Sequence, residues 1–166
     1  MLSPMTVRPA TPQDLPTITR FIRELAEYEK LLHECRTTPE ALGLWLFPKD
    51  GRPVAEAVIG EIDGVPQGFA LFFTNFSTFL AKPGMYLEDL YVTPAARGQG
   101  LGKALLTHLA RIAVSRGYGR FEWSVLDWNE PAIGFYRSLG ARAMDEWTGM
   151  RVEGAALAQL AATVSG

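Results

Sequence analysis

The sequence predicts a single mixed α/β domain, with a mostly antiparallel central sheet flanked by helices. Three observations predict it. Strand-like and helix-like runs follow one another along all 166 residues, with no linker, repeat or low-complexity tract between them. Two of the strand-like runs meet at Asp63-Gly64, a dipeptide suited to a tight hairpin turn. The order is strand, helix, helix, three strands, helix, strand, helix, strand, which departs from the strict alternation of a doubly wound nucleotide fold. The length is near that of one domain and allows a full core.

Each element has a local reason. Val7 opens a short strand. Thr11-Pro12-Gln13-Asp14 reads as a helix start, with a capping threonine, a proline in the first turn and an acid three residues after the cap. Ile18, Phe21, Ile22, Leu25, Tyr28 and Leu32 recur at three- and four-residue spacing, so the helix is expected to run to about Leu31. A shorter helix is expected over Pro39 to Leu46, then a loop through Lys49-Asp50-Gly51-Arg52-Pro53. Val54 to Ile62, Gln67 to Asn75 and Met85 to Val92 read as three strands. A helix to about Arg116 follows. Phe121, Trp123 and Val125 alternate as in a strand. Asn129-Glu130-Pro131 opens a helix with Ala132, Phe135, Tyr136 and Leu139 on one face, ended by Gly140. A strand near Trp147 to Val152 and an alanine-rich helix complete the chain.

Composition narrows the function classes. Apolar residues make up 48% and charged residues 20%, the balance of a soluble globular protein. A net charge of −2 gives no reason to expect nucleic acid, whose binders usually carry a strongly basic face. No run approaches the roughly 18 apolar residues of a membrane span, and the start MLSPMTVRPA lacks the marks of a signal peptide. The one cysteine, Cys35, excludes an internal disulfide and fits a cytoplasmic protein. His33, His108 and Cys35 show no metal-ligand spacing, so no metal is expected.

The stretch RGQGLGKALL, Arg97 to Leu106, carries the chemistry. It fails the P-loop pattern, because Lys103 is followed by Ala104 and the glycine spacing is wrong. It also differs from the dinucleotide fingerprint, since its spacing is G-x-G-x-G. What remains is a glycine loop entering a helix. Such amides converge on an anion, and the helix N-terminus adds partial positive charge. Arg97 and Lys103 add full charges. A pyrophosphate is the expected guest, the alternative being a plain turn before a core helix.

Tyr86-Leu-Glu-Asp-Leu-Tyr-Val92 followed by Arg97-Gly-Gln-Gly-Leu-Gly102 resembles the central motif of the GNAT acetyltransferases, and Asp127-Trp-Asn-Glu-Pro-Ala-Ile-Gly-Phe-Tyr136 with Gly140-Ala141 resembles their later motif. Arg8-Pro-Ala-Thr11, Glu24-Leu-Ala-Glu-Tyr-Glu29, Tyr86-Leu-Glu-Asp89 and Trp128-Asn-Glu-Pro131 are similar to the branch of spermidine/spermine N-acetyltransferase and its thialysine-acetylating relatives. The resemblance runs from about Val7 to Val152. It implies acetyl-CoA as cosubstrate, a small cationic amine as acceptor and a homodimer. The aromatic-rich segment Phe69 to Phe79 is either an interface or a buried strand.

The resemblance also implies roles. Gly98, Gln99, Gly100, Leu101 and Gly102, with Arg97 and Lys103, would hold the pyrophosphate. Main-chain amides of Leu90, Tyr91 and Val92 would meet the developing oxyanion at a strand irregularity. Asn129 and Ala132 would touch the cofactor, although a helix cap alone explains the asparagine. Tyr136 would protonate the departing thiolate. Periodicity by itself favours a core residue at this position. Glu88 would deprotonate the amine, with a lysine pair as the plainer reading. Asp89 follows it and in a regular strand would face the other side, where it binds cation or supports structure. Tyr28 and Glu29 match the acceptor side, and Trp123 lines either the cleft or the core. Asp145-Glu-Trp-Thr-Gly149 departs from the acidic pattern of polyamine enzymes. Three readings follow: direct acetyl transfer to a polyamine, diamine or lysine-like amine; transfer to a protein amine or an antibiotic; and an acyl-CoA sensor without turnover.

Overall fold

The computed structural model describes residues 3–163. They group into two compact units, one ending at Leu126 and one starting at Asp127. The first holds a five-stranded sheet of β1 (Met5–Pro9), β2 (Glu56–Ile62), β3 (Val65–Ser77), β4 (Lys82–Val92) and β5 (Phe121–Trp123), in that spatial order. The first three pairings are antiparallel and β4–β5 is parallel. This is the expected mixed α/β fold with a mostly antiparallel sheet.

Helices cover both faces. On one side, α1 (Leu15–Tyr28) and α2 (Pro39–Leu46) bury Ile18, Phe21 and Leu46 against Ile59, Phe69, Leu71 and Tyr91. Ile18 and Phe21 are 0% exposed, and each such side chain contributes about 1.5–3 kcal/mol on burial. On the other side lies α3 (Leu101–Ser115), whose Leu101 and Leu105 sit over Gly60 and Gly68. These two strand glycines form a notch. A Cβ at Gly60 would lie 2.8 Å from Leu101 Cδ1, and one at Gly68 would lie 2.7 Å from the Tyr91 carbonyl oxygen. The notch brings the first turn of α3 down onto the end of β4.

An ion cluster ties the chain's start to the sheet. Arg8 on β1 grips both oxygens of Asp14 at 2.8 and 2.9 Å and donates to Glu61 on β2 at 3.0 Å. Asp14 also accepts from the Thr11 amide at 2.7 Å. The arginine beside it holds the Asp14 carboxyl below its ordinary value, against the opposing effect of burial.

Several boundaries depart from expectation. The Thr11–Asp14 capping signal is met by a short 3₁₀ turn before α1 proper. Helix α1 ends at Tyr28 because Lys30 turns left-handed at φ 63°. Strand β5 is only three residues long and leaves Val125 outside. The Asp63-Gly64 hairpin forms as read, with both residues at positive φ. Phe69 and Phe72 are buried strand residues, whereas Phe76 and Phe79 are exposed toward the far end of the hairpin.

The second unit contains α4 (Glu130–Ser138) and α5 (Gly154–Ala161). No residue of α4 is buried, and Leu139 just beyond it is exposed. The expected strand near Trp147 to Val152 does not form. That segment has no ladder partner among the described residues, and Trp147, Met150 and Val152 are exposed. Alternating apolar residues make a strand only where a neighbour supplies the hydrogen bonds. Among the described residues, no helix is long and apolar enough to cross a membrane.

Gly68→Ala is expected to destabilise the protein by about 1–3 kcal/mol, read from urea unfolding. Gly134→Ala, where a Cβ meets nothing within 4 Å, should be neutral or slightly stabilising, since alanine favours a helix interior.

Candidate active site

One irregularity shapes the site. In the β3–β4 pairing, Leu71 faces Asp89 but Phe72 faces Leu87, so Glu88 is the extra residue of a bulge. The bulge shifts the alternation of β4. Leu87 pairs with Phe72 on the face toward α3, whereas Asp89 and Tyr91 pair with Leu71 and Phe69 on the face toward α1. The other edge of β4 changes at the same point, since β5 pairs only with Met85, Tyr86 and Leu87. Leu90, Tyr91 and Val92 therefore lie beyond the β4–β5 ladder, where the expected amide site falls.

Two other carboxylates, those of Glu88 and Glu29, bear electrostatically on Asp89 here. Asp89 is half-buried, and its carboxyl is pushed up to about 7 by burial first and then by Glu88 and Glu29. Glu29 is the residue after the last turn of α1 and is itself raised by burial. Glu88, the expected base, is exposed at the bulge. The expectation that Glu88 and Asp89 face opposite sides assumed a regular strand, and β4 is not regular.

The glycine loop follows β4 after one 3₁₀ turn, Pro94–Ala96. Gly98 and Gly100 have φ of 81° and 90°, and a Cβ on either would meet nothing within 4 Å. Their glycine character answers the backbone turn, which other residues adopt only under strain. Gly100 caps α3, and Gly102 lies in its first turn beside Val92. Bare amides at a helix N-terminus fit a pyrophosphate. Lys103 is exposed on that same turn, Leu101 is buried beneath it, and Gln99 folds back to the Ala95 carbonyl at 3.5 Å. Arg97 is exposed at the start of the loop. Its Nε donates to the Val92 carbonyl at 3.2 Å, and its guanidinium lies 5.3 Å from the Tyr28 ring and 5.9 Å from the Tyr91 ring.

The acetyltransferase (GNAT) family model matches residues 17–141. The chain belongs to the GNAT acetyltransferase family. It is 37% identical to thialysine N-epsilon-acetyltransferase of Sus scrofa, over 96% of this chain and 99% of that one. It is 34% identical to L-ornithine N5-acetyltransferase of Arabidopsis thaliana, over 91% of this chain and 85% of the relative. Among solved structures, an integron cassette protein from the mobile metagenome of V. cholerae superposes with a TM-score of 0.78 at 25% identity, covering 96% of this chain and 98% of the other. The protein is thus an acetyl-transferring enzyme of a family whose cosubstrate is acetyl-CoA.

The remaining expected site residues of this GNAT acetyltransferase fall as follows. Tyr28 is exposed under Arg97, and Trp123 is half-buried, edge-on to Phe121 at 5.0 Å. In the second unit, Asn129 caps α4 through Ala132 N at 3.4 Å, and Tyr136 is half-buried beside Phe135, ring to ring at 5.7 Å. Sequence reading missed two residues on α1. Arg20 and Glu24 have the i, i+4 spacing of an ordinary surface pair. Among the described residues, however, they form no ion pair, and Glu24 Oε2 is buried without a partner.

The raised Asp89 carboxyl links the site to stability. A carboxyl whose value is higher when folded stabilises the protein below its ordinary value of 3.8, and that contribution is lost as pH rises through about 7. Asp89→Asn should therefore raise the melting temperature at pH 8, by an amount equivalent to roughly 1–3 kcal/mol. At pH 4 it should change little. Thermal unfolding at the two pH values checks this.

Proposed function

We propose that the protein transfers an acetyl group directly to the primary amine of a small cationic acceptor within a ternary complex. The observation that carries this is the Glu29–Glu88–Asp89 carboxylate cluster on the strand that runs into the glycine cradle. An ammonium group is drawn to such a cluster. Asp89, titrating near neutrality, is the group suited to take its proton. The named relatives support the acceptor class, since their acceptors are thialysine and ornithine.

Acetyl-CoA would supply the activated thioester, held by the Gly98–Gly102 loop and the first turn of α3. Asp89 accepts the amine proton at its carboxylate, while Glu88 and Glu29 hold the incoming cation. The main-chain amides of Leu90 to Val92 meet charge on the carbonyl oxygen. Tyr136 keeps a proton on its hydroxyl for the departing thiolate, a role resting on its place in the family's later motif. Asn129 and Ala132 contribute at the start of that helix, and Trp123 borders the acceptor side. Both units act as one acetyltransferase domain, a reading supported by a family match that crosses their boundary. The protein works as a cytoplasmic homodimer, and the exposed Phe76, Phe79 and Leu80 support an interface.

The test is free-thiol release from acetyl-CoA with a panel of diamines, polyamines, basic amino acids and a lysine peptide. The kcat/KM should rise with pH up to about 7 and then level. Asp89→Asn should lower it by roughly 10²–10⁴-fold and remove that rise, whereas Glu88→Gln should raise KM more than it lowers kcat. Tyr136→Phe should lower kcat by at least about tenfold. Full activity in Asp89→Asn with the pH rise retained would return the base to Glu88. No release with any amine would overturn acetyl transfer to this acceptor class.

A further inference from the structure

The opening between β4 and β5 has a closed end. The two strands pair in parallel at Met85–Phe121, Tyr86–Glu122 and Leu87–Trp123 and then separate. Among the described residues, none after Trp123 forms a ladder with β4. The last pair, Leu87 and Trp123, is therefore the vertex of a wedge, and Leu90 to Val92 lie along its β4 edge. The Pro94–Ala96 turn and the glycine loop stand at the opposite, wide end, since they follow β4 at Val92.

Two contacts fix the vertex. Ladder neighbours share a face, so Trp123 lies on the α3 side with Leu87. There its ring stands edge-on to Phe121 at 5.0 Å. Immediately after it, Ser124 Oγ and the Tyr86 hydroxyl share a hydrogen bond of 2.7 Å, which latches the chain leaving β5 to β4. Leu87 is 2% exposed, whereas Trp123 is half-buried and keeps part of its surface open. A group reaching the vertex thus meets the indole rather than the leucine.

That group is the acyl end of the donor. With the donor's phosphates on the glycine loop, the wide end of the wedge is the way in, and the thioester carbonyl comes to the Leu90 to Val92 amides. Whatever lies beyond the carbonyl carbon then points to the vertex. Leu87, Leu90 and Trp123 offer it uncharged walls. The room is short. Leu87 and Leu90 face Phe72 and Ala70 on β3, two strand residues apart, which is about 7 Å. A carbon–carbon contact at the vertex takes about 3.5–4.0 Å of that. About 3 Å remains, enough for one or two carbons at about 1.5 Å each. An acetyl or propionyl group fits, and a butyryl group does not.

We propose that Trp123, besides bordering the acceptor, sets the acyl-chain limit of this enzyme by closing the β4–β5 wedge to acyl groups of more than three carbons. This rests on the proposed meeting of the thioester carbonyl with the Leu90 to Val92 amides and adds the donor's chain length to that reading.

The test measures equilibrium binding of free CoA and of acetyl-, propionyl-, butyryl- and hexanoyl-CoA by calorimetry, with thiol release to a panel of amines in parallel. Each affinity is taken as a ratio to that of free CoA in the same protein, so a general loss of binding in a variant cancels. In the unaltered protein, butyryl- and hexanoyl-CoA should bind at least about tenfold more weakly than acetyl-CoA, the scale of forcing extra methylenes into a packed site. Trp123→Ala should bring both longer donors level with acetyl-CoA. Trp123→Phe, a smaller ring that keeps an aromatic contact for Phe121, should admit butyryl-CoA and still disfavour hexanoyl-CoA. Equal binding of all four thioesters in the unaltered protein overturns the limit. A penalty of unchanged size in the two variants overturns the role of Trp123. Chain-length-selective binding without thiol release to any amine would count against the transfer reading and leave the limit standing.

Discussion

The inserted residue at Glu88 is the constraint on which the site depends. Strand side chains alternate, so one extra residue moves everything after it to the other face. Were Glu88 an ordinary member of the ladder, Asp89 would share a face with Leu87, which is 2% exposed. With the bulge, Asp89 and Tyr91 turn to α1 and meet Glu29 and Glu24. The early end of β5 at Trp123 belongs to the same geometry, since pairing with β4 stops at the residue before the bulge. Acid cluster and open strand edge thus arise at one point.

The surrounding core holds this point in place. Phe21 packs between Phe69 at 6.0 Å and Tyr91 at 5.8 Å, fixing the helix that carries Glu24 and Glu29 against the strand that carries Asp89. On the reverse face, the Gly60–Gly68 notch admits Leu101 and Leu105 and seats the helix behind the glycine loop. Crowding three carboxylates opposes folding, and close-packed apolar contacts on both faces offset that cost.

Much of the fold was legible because its signals are local. Asp63-Gly64 specified its own hairpin, and the glycine triplet specified a turn into a helix. The central motif, contiguous from Tyr86 to Gly102 apart from one short connection, was enough to point to the family. What escaped reading depends on neighbours distant in sequence. The bulge is a property of the β3–β4 register, so the run Tyr86 to Val92 does not itself show it; the family resemblance alone led to an irregularity there, and it left Asp89 between binding cation and supporting structure. Trp147 to Val152 has strand-like alternation but no partner strand. Arg20 and Glu24 carry the spacing of an ordinary surface pair, and only the packing of Tyr91 and Phe21 beside them shows that they stand apart.

The Arg8–Asp14 pair and the Asp89 cluster pull the folded state in opposite directions along the pH axis. Asp14 is held below its ordinary value, so the stability it confers is present above about 4 and is lost as acid is added. Asp89, with Glu29 shifted in the same sense, withdraws its contribution as pH climbs toward and through 7. The two trends leave the molecule firmest in mildly acidic solution. There Asp89 still carries its proton. On the proposed role of Asp89 as base, the conditions that best preserve this enzyme on the shelf are therefore not those in which it would work fastest.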